Sequence, residues 1–275
     1  MQVSKASEAV GMEITDVDLR SISDSEFNDI KDLFFERGAL IFRDQEMTPE
    51  EHIAFAERWG EIDINRFFAK VDGYPMIARV LKEADQEINI GGGWHTDHSY
   101  DQVPAMGSIL RAIDLPPAGG NTKFASVEAA YDALSDEMKE RIAPLKAKHS
   151  SKHIFGDQSE YAKEMGDRFG NAENAVQDVI HPIVLKHPVT GRKGIYVNAG
   201  FTVGIVGMED EEAGALLGEL YAHIAEGPFH YDLEWKPGTI AMWDNRSTWH
   251  WALNDYNGHR RDMHRITVKG VPLHS

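Results

Sequence analysis

Short runs in which apolar and polar positions alternate make up much of the chain, and fewer segments repeat their apolar positions every three or four residues. Alternation marks a strand with one buried face, and the longer spacing marks a helix. The runs ALIFR (39–43), MIARVL (76–81), GSILRAI (107–113), IVLKH (183–187), GIYVN (194–198), FHYDLEW (229–235), TIAMWD (239–244) and HRITVKG (264–270) are predicted strands. Pro116-Pro117, Gly119-Gly120, Thr190-Gly191 and Pro237-Gly238 provide breaks between them. Helix starts are marked by Ser23 with Glu26 and by Thr48 with Glu51, both at capping-box spacing. Phe27, Ile30, Leu33 and Phe34 follow the first start, and Phe55, Ala56 and Trp59 the second. Ala213, Leu216, Leu217, Leu220, Tyr221 and Ile224 form one face of a third helix.

Many short strands with a few helices predict a mainly β fold, a sandwich or jelly-roll barrel with helices packed outside. No linker-like tract or repeat interrupts residues 1–275, which are read as a single domain. A parallel dinucleotide-binding sheet is not expected, because strands and helices do not alternate and no GxGxxG motif is present.

Composition narrows the chemistry. The absence of cysteine rules out disulfides, thiolate nucleophiles and iron–sulfur clusters, so any bound metal must be held by nitrogen and oxygen. A net charge of −17 repels phosphate backbones, which argues against nucleic acid and anionic membrane surfaces as partners. The N-terminal stretch has no signal-peptide core, and no apolar run approaches the roughly 18 residues of a membrane span. A soluble, cytoplasmic protein is expected.

Against that background the stretch GGGWHTDHSY (91–100) stands out. On a strand His95 and Asp97 would point the same way, and two imidazoles with one carboxylate form the face of a non-heme iron(II) site. A second histidine must then come from elsewhere. The His-x-Asp tripeptide alone carries little weight, since it occurs again at His230-Tyr231-Asp232. There it lies on the polar side of a strand whose Phe229, Tyr231, Leu233 and Trp235 form the apolar side. The segment 243–270 offers His250 as the missing imidazole, together with Arg261 and Arg265. A guanidinium cannot lose its charge and presents a fork to a carboxylate, so an arginine beside a metal is suited to a dicarboxylic cosubstrate. Surface arginines remain the plain alternative, although Met263 between the two favours partial burial.

WHTD (94–97), GGNT (119–122), WDNR (243–246) followed by His250, and the ten-residue interval from His250 to Arg261 together resemble the taurine dioxygenase/TfdA family of Fe(II)- and 2-oxoglutarate-dependent dioxygenases. The similarity runs from about residue 10 to 272 and includes GALIFRDQEMTPEEHIAFAERWGEID and HPVTGRKGIYVN. It implies a double-stranded β-helix (jelly roll) and iron ligation by His95, Asp97 and His250. It also implies that Thr122 and Arg261 hold the far carboxylate of 2-oxoglutarate, and that Arg265 occupies a position some members use for the substrate's anionic group. Fe(II), 2-oxoglutarate and O2 are the implied cofactors, with succinate and CO2 released. One departure is GGNT, where the family form is GGDT. The retained Asp97 separates the chain from halogenases, which lack the carboxylate. Members are commonly homo-oligomers.

The substrate implied is a small anionic organic molecule, an aryloxyalkanoate, a sulfonate or similar. Asn65 stands where taurine dioxygenases carry a histidine, and RAIDLPPAGGNT and HSSKHIFG are closer to phenoxypropionate dioxygenases. Asn65, His98, Tyr100 and Arg265 are the candidate substrate residues. Phe67, Phe68, Arg79, Arg111, His153, Phe155 and Trp251 are further candidates for the pocket. Two alternatives stay open: desaturation or biosynthetic hydroxylation of an amino-acid-like substrate at the same iron, or a catalytically silent metal-binding barrel. The glycines 91–93 read either as a mobile approach to the metal or as a tight turn.

Overall fold

A computed structural model describes residues 1–175 and 178–273. Nearly all its strand pairs are antiparallel. The largest sheet runs in the order Gln2–Lys5, Met12–Thr15, Ala39–Phe42, Ile240–Asp244, Gly107–Asp114, Arg261–Val268, Tyr74–Lys82 and Lys70–Val71, with Ile62–Asp63 also paired to Arg261–Val268. A second sheet places Thr122–Ser126 between His230–Leu233 and Thr248–Ala252. A third is built from Asp178–Pro182, Lys146–Ser150 and Thr202–Ile205, and Val184–Lys186 pairs with Lys193–Ile195.

Period-two alternation gives the large sheet two different faces. Leu40, Phe42, Ile109, Met242 and Ile266 face the helices Asp24–Arg37 and Pro49–Glu57, where they pack with Ile30, Phe34, Phe55 and Trp59. Their neighbours Ala39, Ile41, Leu110, Trp243 and Met263 turn the other way and meet Phe124, Leu233 and Trp235 of the second sheet. Each fully buried large side chain contributes roughly 1.5–3 kcal/mol. Both helices begin with complete capping boxes, Ser23 with Glu26 and Thr48 with Glu51, each cap being worth about 1 kcal/mol. The predicted third helix is Asp210–Glu226; its Leu216, Leu217, Leu220 and Ile224 cover the outer face of the second sheet around Trp249.

Every predicted strand has an observed counterpart, most of them trimmed at the ends. The exposed Gln2–Lys5 strand and Met12–Thr15, Lys146–Ser150 and Thr202–Ile205 were not predicted from the pattern. The strand expected for His95 and Asp97 is corrected: His95 forms an isolated bridge, and Asp97 lies in the turn that follows. Among the described residues, no helix is long and apolar enough to cross a membrane.

Candidate metal centre and ligand cavity

His95 and His250 are backbone partners. The amide of each donates to the carbonyl of the other, at 3.1 and 2.8 Å, which fixes the two rings side by side with centroids 4.1 Å apart. His250 belongs to the strand Thr248–Ala252, opposite Phe124, so it faces inward while Trp249 faces the helix side. The Asp97 carboxylate completes the group: Oδ1 lies 3.8 Å from His95 Nε2, and Oδ2 lies 3.8 Å from His250 Nε2.

Each donor is prepared for a cation. His95 Nδ1 is 2.8 Å from the Gly93 carbonyl, which assigns the proton to Nδ1 and leaves the Nε2 lone pair directed at the group. Burial, reinforced by His95, holds His250 well below the ordinary imidazole range, so it is neutral at physiological pH. Burial alone would raise Asp97. Arg265, His250 and His95 outweigh it and hold the carboxyl well below its usual range. Ser108 Oγ donates to Asp97 Oδ2 at 3.0 Å. Two imidazoles and one ionised carboxylate are the donor set of a facial iron site.

Close approach to His95 explains Gly91 and Gly200. Gly91 has φ +81, and a Cβ there would sit 3.3 Å from His95 Cε1. A Cβ on Gly200 would lie 2.8 Å from His95 Cβ. Side chains at these positions would displace the ring, and the positive φ of Gly91 supports the turn reading of the run.

The three donors open onto a cavity of about 410 Å³, within the range of small-molecule sites. Arg261 and Arg265 line it because they share one face of the strand Arg261–Val268, as does Thr122 on the facing sheet. Arg261 is 4 % exposed, and its Nε and Nη2 have no hydrogen-bond partner. Burial pushes its guanidinium below the ordinary value. Trp235 Nε1 donates to Thr122 Oγ1 at 3.0 Å, which leaves the hydroxyl hydrogen of Thr122 for another acceptor. A buried, unsatisfied guanidinium beside a hydroxyl donor fits a carboxylate. The rest of the wall is largely apolar, including Ile88, Ile90, Ile154, Phe155 and Phe169.

Not every predicted residue reaches the cavity. Phe68 and Phe155 line it; Asn65, His98 and Tyr100 do not. Asn65 Oδ1 accepts from the amides of Phe67 and Phe68, both at 2.9 Å, and so shapes a turn. His98 adopts φ +60, which turns the chain away after Asp97. Its Nδ1 lies 2.8 Å from Asp101 Oδ2, and its ring stacks on Tyr100. With Asp63 these residues form a second group of possible metal donors, but Arg66 is already paired with Asp101. Phe67 stacks behind Phe155, Arg79 pairs with Asp262 at 2.8 Å, and His153 Nε2 lies 2.8 Å from the Gly200 carbonyl. Arg111 and Trp251 are also absent from the cavity wall. Asn121, the departure in GGNT, is absent from the cavity wall and donates to Asp232 at 3.0 Å. In the repeated tripeptide, His230 Nε2 lies 2.7 Å from the Ile224 carbonyl. Ser108 was missed, although a polar residue beside the apolar run Ile109-Leu110 is a readable signal.

The family model described as taurine catabolism dioxygenase TauD, TfdA family matches residues 2–267. The chain belongs to this family. Among its TauD/TfdA relatives, (S)-phenoxypropionate/alpha-ketoglutarate-dioxygenase of Sphingobium herbicidovorans is 32% identical over 95% of this chain and 92% of its own length. The alkylsulfatase of Acinetobacter baylyi is 30% identical, covering 98% and 85%. A taurine dioxygenase structure from Burkholderia xenovorans aligns with TM-score 0.83 at 30% identity over 98% of this chain and 90% of that one. The structure of AAD-2 in complex with Mn(II) and N-oxalylglycine aligns at TM-score 0.80 and 29% identity, covering 98% and 97%. The chain shares its mainly β fold with both of these solved structures.

Proposed function

We propose that this chain is an Fe(II)- and 2-oxoglutarate-dependent dioxygenase that hydroxylates a C–H bond of a small organic anion with an apolar body, releasing succinate and CO2. The carrying observation is that His95, Asp97, His250 and the unsatisfied guanidinium of Arg261 open onto one cavity. His95 Nε2, His250 Nε2 and the Asp97 carboxylate would hold the iron. Arg261 and Thr122 would hold the far carboxylate of 2-oxoglutarate. The bound iron supplies oxygen activation coupled to oxidative decarboxylation of the cosubstrate. The residues of the chain bind, orient and exclude water; none needs to act as a general acid or base.

Arg265 is the anchor proposed for the substrate's anionic group, with the apolar wall around Phe68, Phe155 and Phe169 receiving its body. Among the described residues Asp97 is the only carboxylate on the wall, so an amino-acid-like substrate would find no free anion there for its ammonium. The names of the relatives support aryloxyalkanoates, sulfonates and alkyl sulfates as the compounds to test first. The largest sheet and the sheet that carries His250 are read as a double-stranded β-helix forming one cytoplasmic catalytic domain, assembled as a homo-oligomer.

The test is anaerobic addition of Fe(II) and 2-oxoglutarate, expected to give a visible charge-transfer band, followed by succinate release across aryloxyalkanoates, sulfonates, alkyl sulfates and amino acids. No band and no succinate with any compound would overturn the reading.

A further inference from the structure

The Asp97 carboxylate has two side-chain hydrogen-bond donors of different kinds. Ser108 gives it one neutral bond at 3.0 Å. Arg265 offers a single nitrogen, Nη1, which straddles the two oxygens at 3.2 and 3.3 Å. Charge-assisted N–H···O bonds are usually about 2.7–2.9 Å, so this pair is loosely held. The remaining Arg265 donors are uncommitted: Nε is buried without a partner, and Nη2 makes no hydrogen bond among the described residues. The guanidinium carbon lies 4.4 Å from the centroid of Phe68, and the residue lines the cavity.

Buried Asp97 needs a positive partner, and a divalent ion held by Asp97 competes with Arg265 for that role. The two cations also repel each other across a few ångströms of poorly screened space. We propose that Arg265 is a shared counter-charge that couples the anionic substrate to the metal. With no anion in the cavity, Arg265 satisfies Asp97 and weakens metal binding. An anionic group that accepts from the free edge of Arg265 neutralises it, and the metal is then held more tightly. Linkage makes the effect reciprocal, so the metal strengthens anion binding by the same factor. Arg265 is therefore a positioning residue whose charge acts through Asp97. The inference rests on the proposed metal reading of His95, Asp97 and His250.

The test is Mn(II) titration of the metal-free protein, followed by electron paramagnetic resonance or calorimetry, without cosubstrate. Arg265→Met is expected to bind Mn(II) about tenfold more tightly than the unaltered chain, and Arg265→Lys within a few-fold of it. Ser108→Ala, which removes an orienting bond and no charge, is expected to bind about tenfold more weakly. Arg265→Gln carries the same expectation as Arg265→Met if the latter does not fold. Unchanged or weaker Mn(II) binding in the neutral variants would overturn the proposal and leave Arg265 as an orienting partner. His95→Ala separates the two readings: if it binds Mn(II) as well as the unaltered chain does, the metal centre itself is misplaced.

Discussion

Two aspartate–arginine pairs buried on both sides lie among the described residues, and they are built to different standards. Asp244 receives a two-nitrogen fork from one edge of Arg246, Nε at 2.8 Å and Nη2 at 2.6 Å, together with the Arg246 amide at 2.9 Å and His187 Nε2 at 3.0 Å. Asp97 receives a single Arg265 nitrogen at 3.2 and 3.3 Å from its two oxygens and a serine hydroxyl, and its pair faces a cavity. The first pair has its valences filled by the chain itself, and it anchors the turn between the strands Ile240–Asp244 and Thr248–Ala252. The second has donors and lone pairs left over. A buried charge pair that is satisfied reads as architecture; one left incomplete reads as a place for ligands.

The largest expected effect falls on the incomplete pair. Asp97→Ala, like His95→Ala or His250→Ala, should abolish succinate production from 2-oxoglutarate, measured by chromatography; near-normal turnover would remove the ligand assignment. On the completed pair, Asp244→Asn should cost about 3–5 kcal/mol in urea unfolding, because Arg246 keeps its charge in the interior. A loss below about 1 kcal/mol would make the two pairs alike. Arg261→Ala should raise the 2-oxoglutarate concentration for half-maximal turnover by roughly 10- to 100-fold, or about 1.4–2.7 kcal/mol, with little change in kcat. An unchanged requirement would dismiss the clamp.

A smaller effect concerns Glu128, which is 5 % exposed and lies in the field of the Asp244 pair. Burial is the main cause that pushes its carboxyl up to about 7; Asp244 adds to this, and Arg192 opposes it. The folded state therefore binds this proton more tightly than the unfolded chain does. Its contribution is present below an ordinary value near 4.5 and is lost as pH rises through about 7. Glu128→Gln should flatten that decline, worth up to roughly 3 kcal/mol, in unfolding curves taken across this range. Parallel pH profiles for the variant and the unaltered chain would contradict it.

The legible parts of the sequence are those in which local pattern and tertiary environment agree. Leu40 and Phe42 against Ala39 and Ile41 alternate as a two-faced strand should, and Ser23 with Glu26 starts a helix as its spacing predicts. Residue type and spacing single out His95, Asp97 and His250, which the structure brings together, although the strand expected for His95 and Asp97 is a bridge and a turn. Side-chain direction past Asp97 was not legible. A positive φ at a non-glycine residue, His98, breaks any extrapolation of period two, so His98 and Tyr100 pack behind the wall. The apolar lining from Ile88, Ile154 and Phe169 comes from loops and short helices whose placement no local periodicity encodes.

The reciprocal backbone bond between His95 and His250 has a consequence for biogenesis. A ribosome delivers the first imidazole and its neighbouring carboxylate long before the second, and the strand carrying Arg261 and Arg265 emerges later still. Under the proposed metal reading, the nascent chain would offer only part of the donor set until His250 is made. Tight retention of an ion would then be a late event, reserved for molecules whose final strands have already docked.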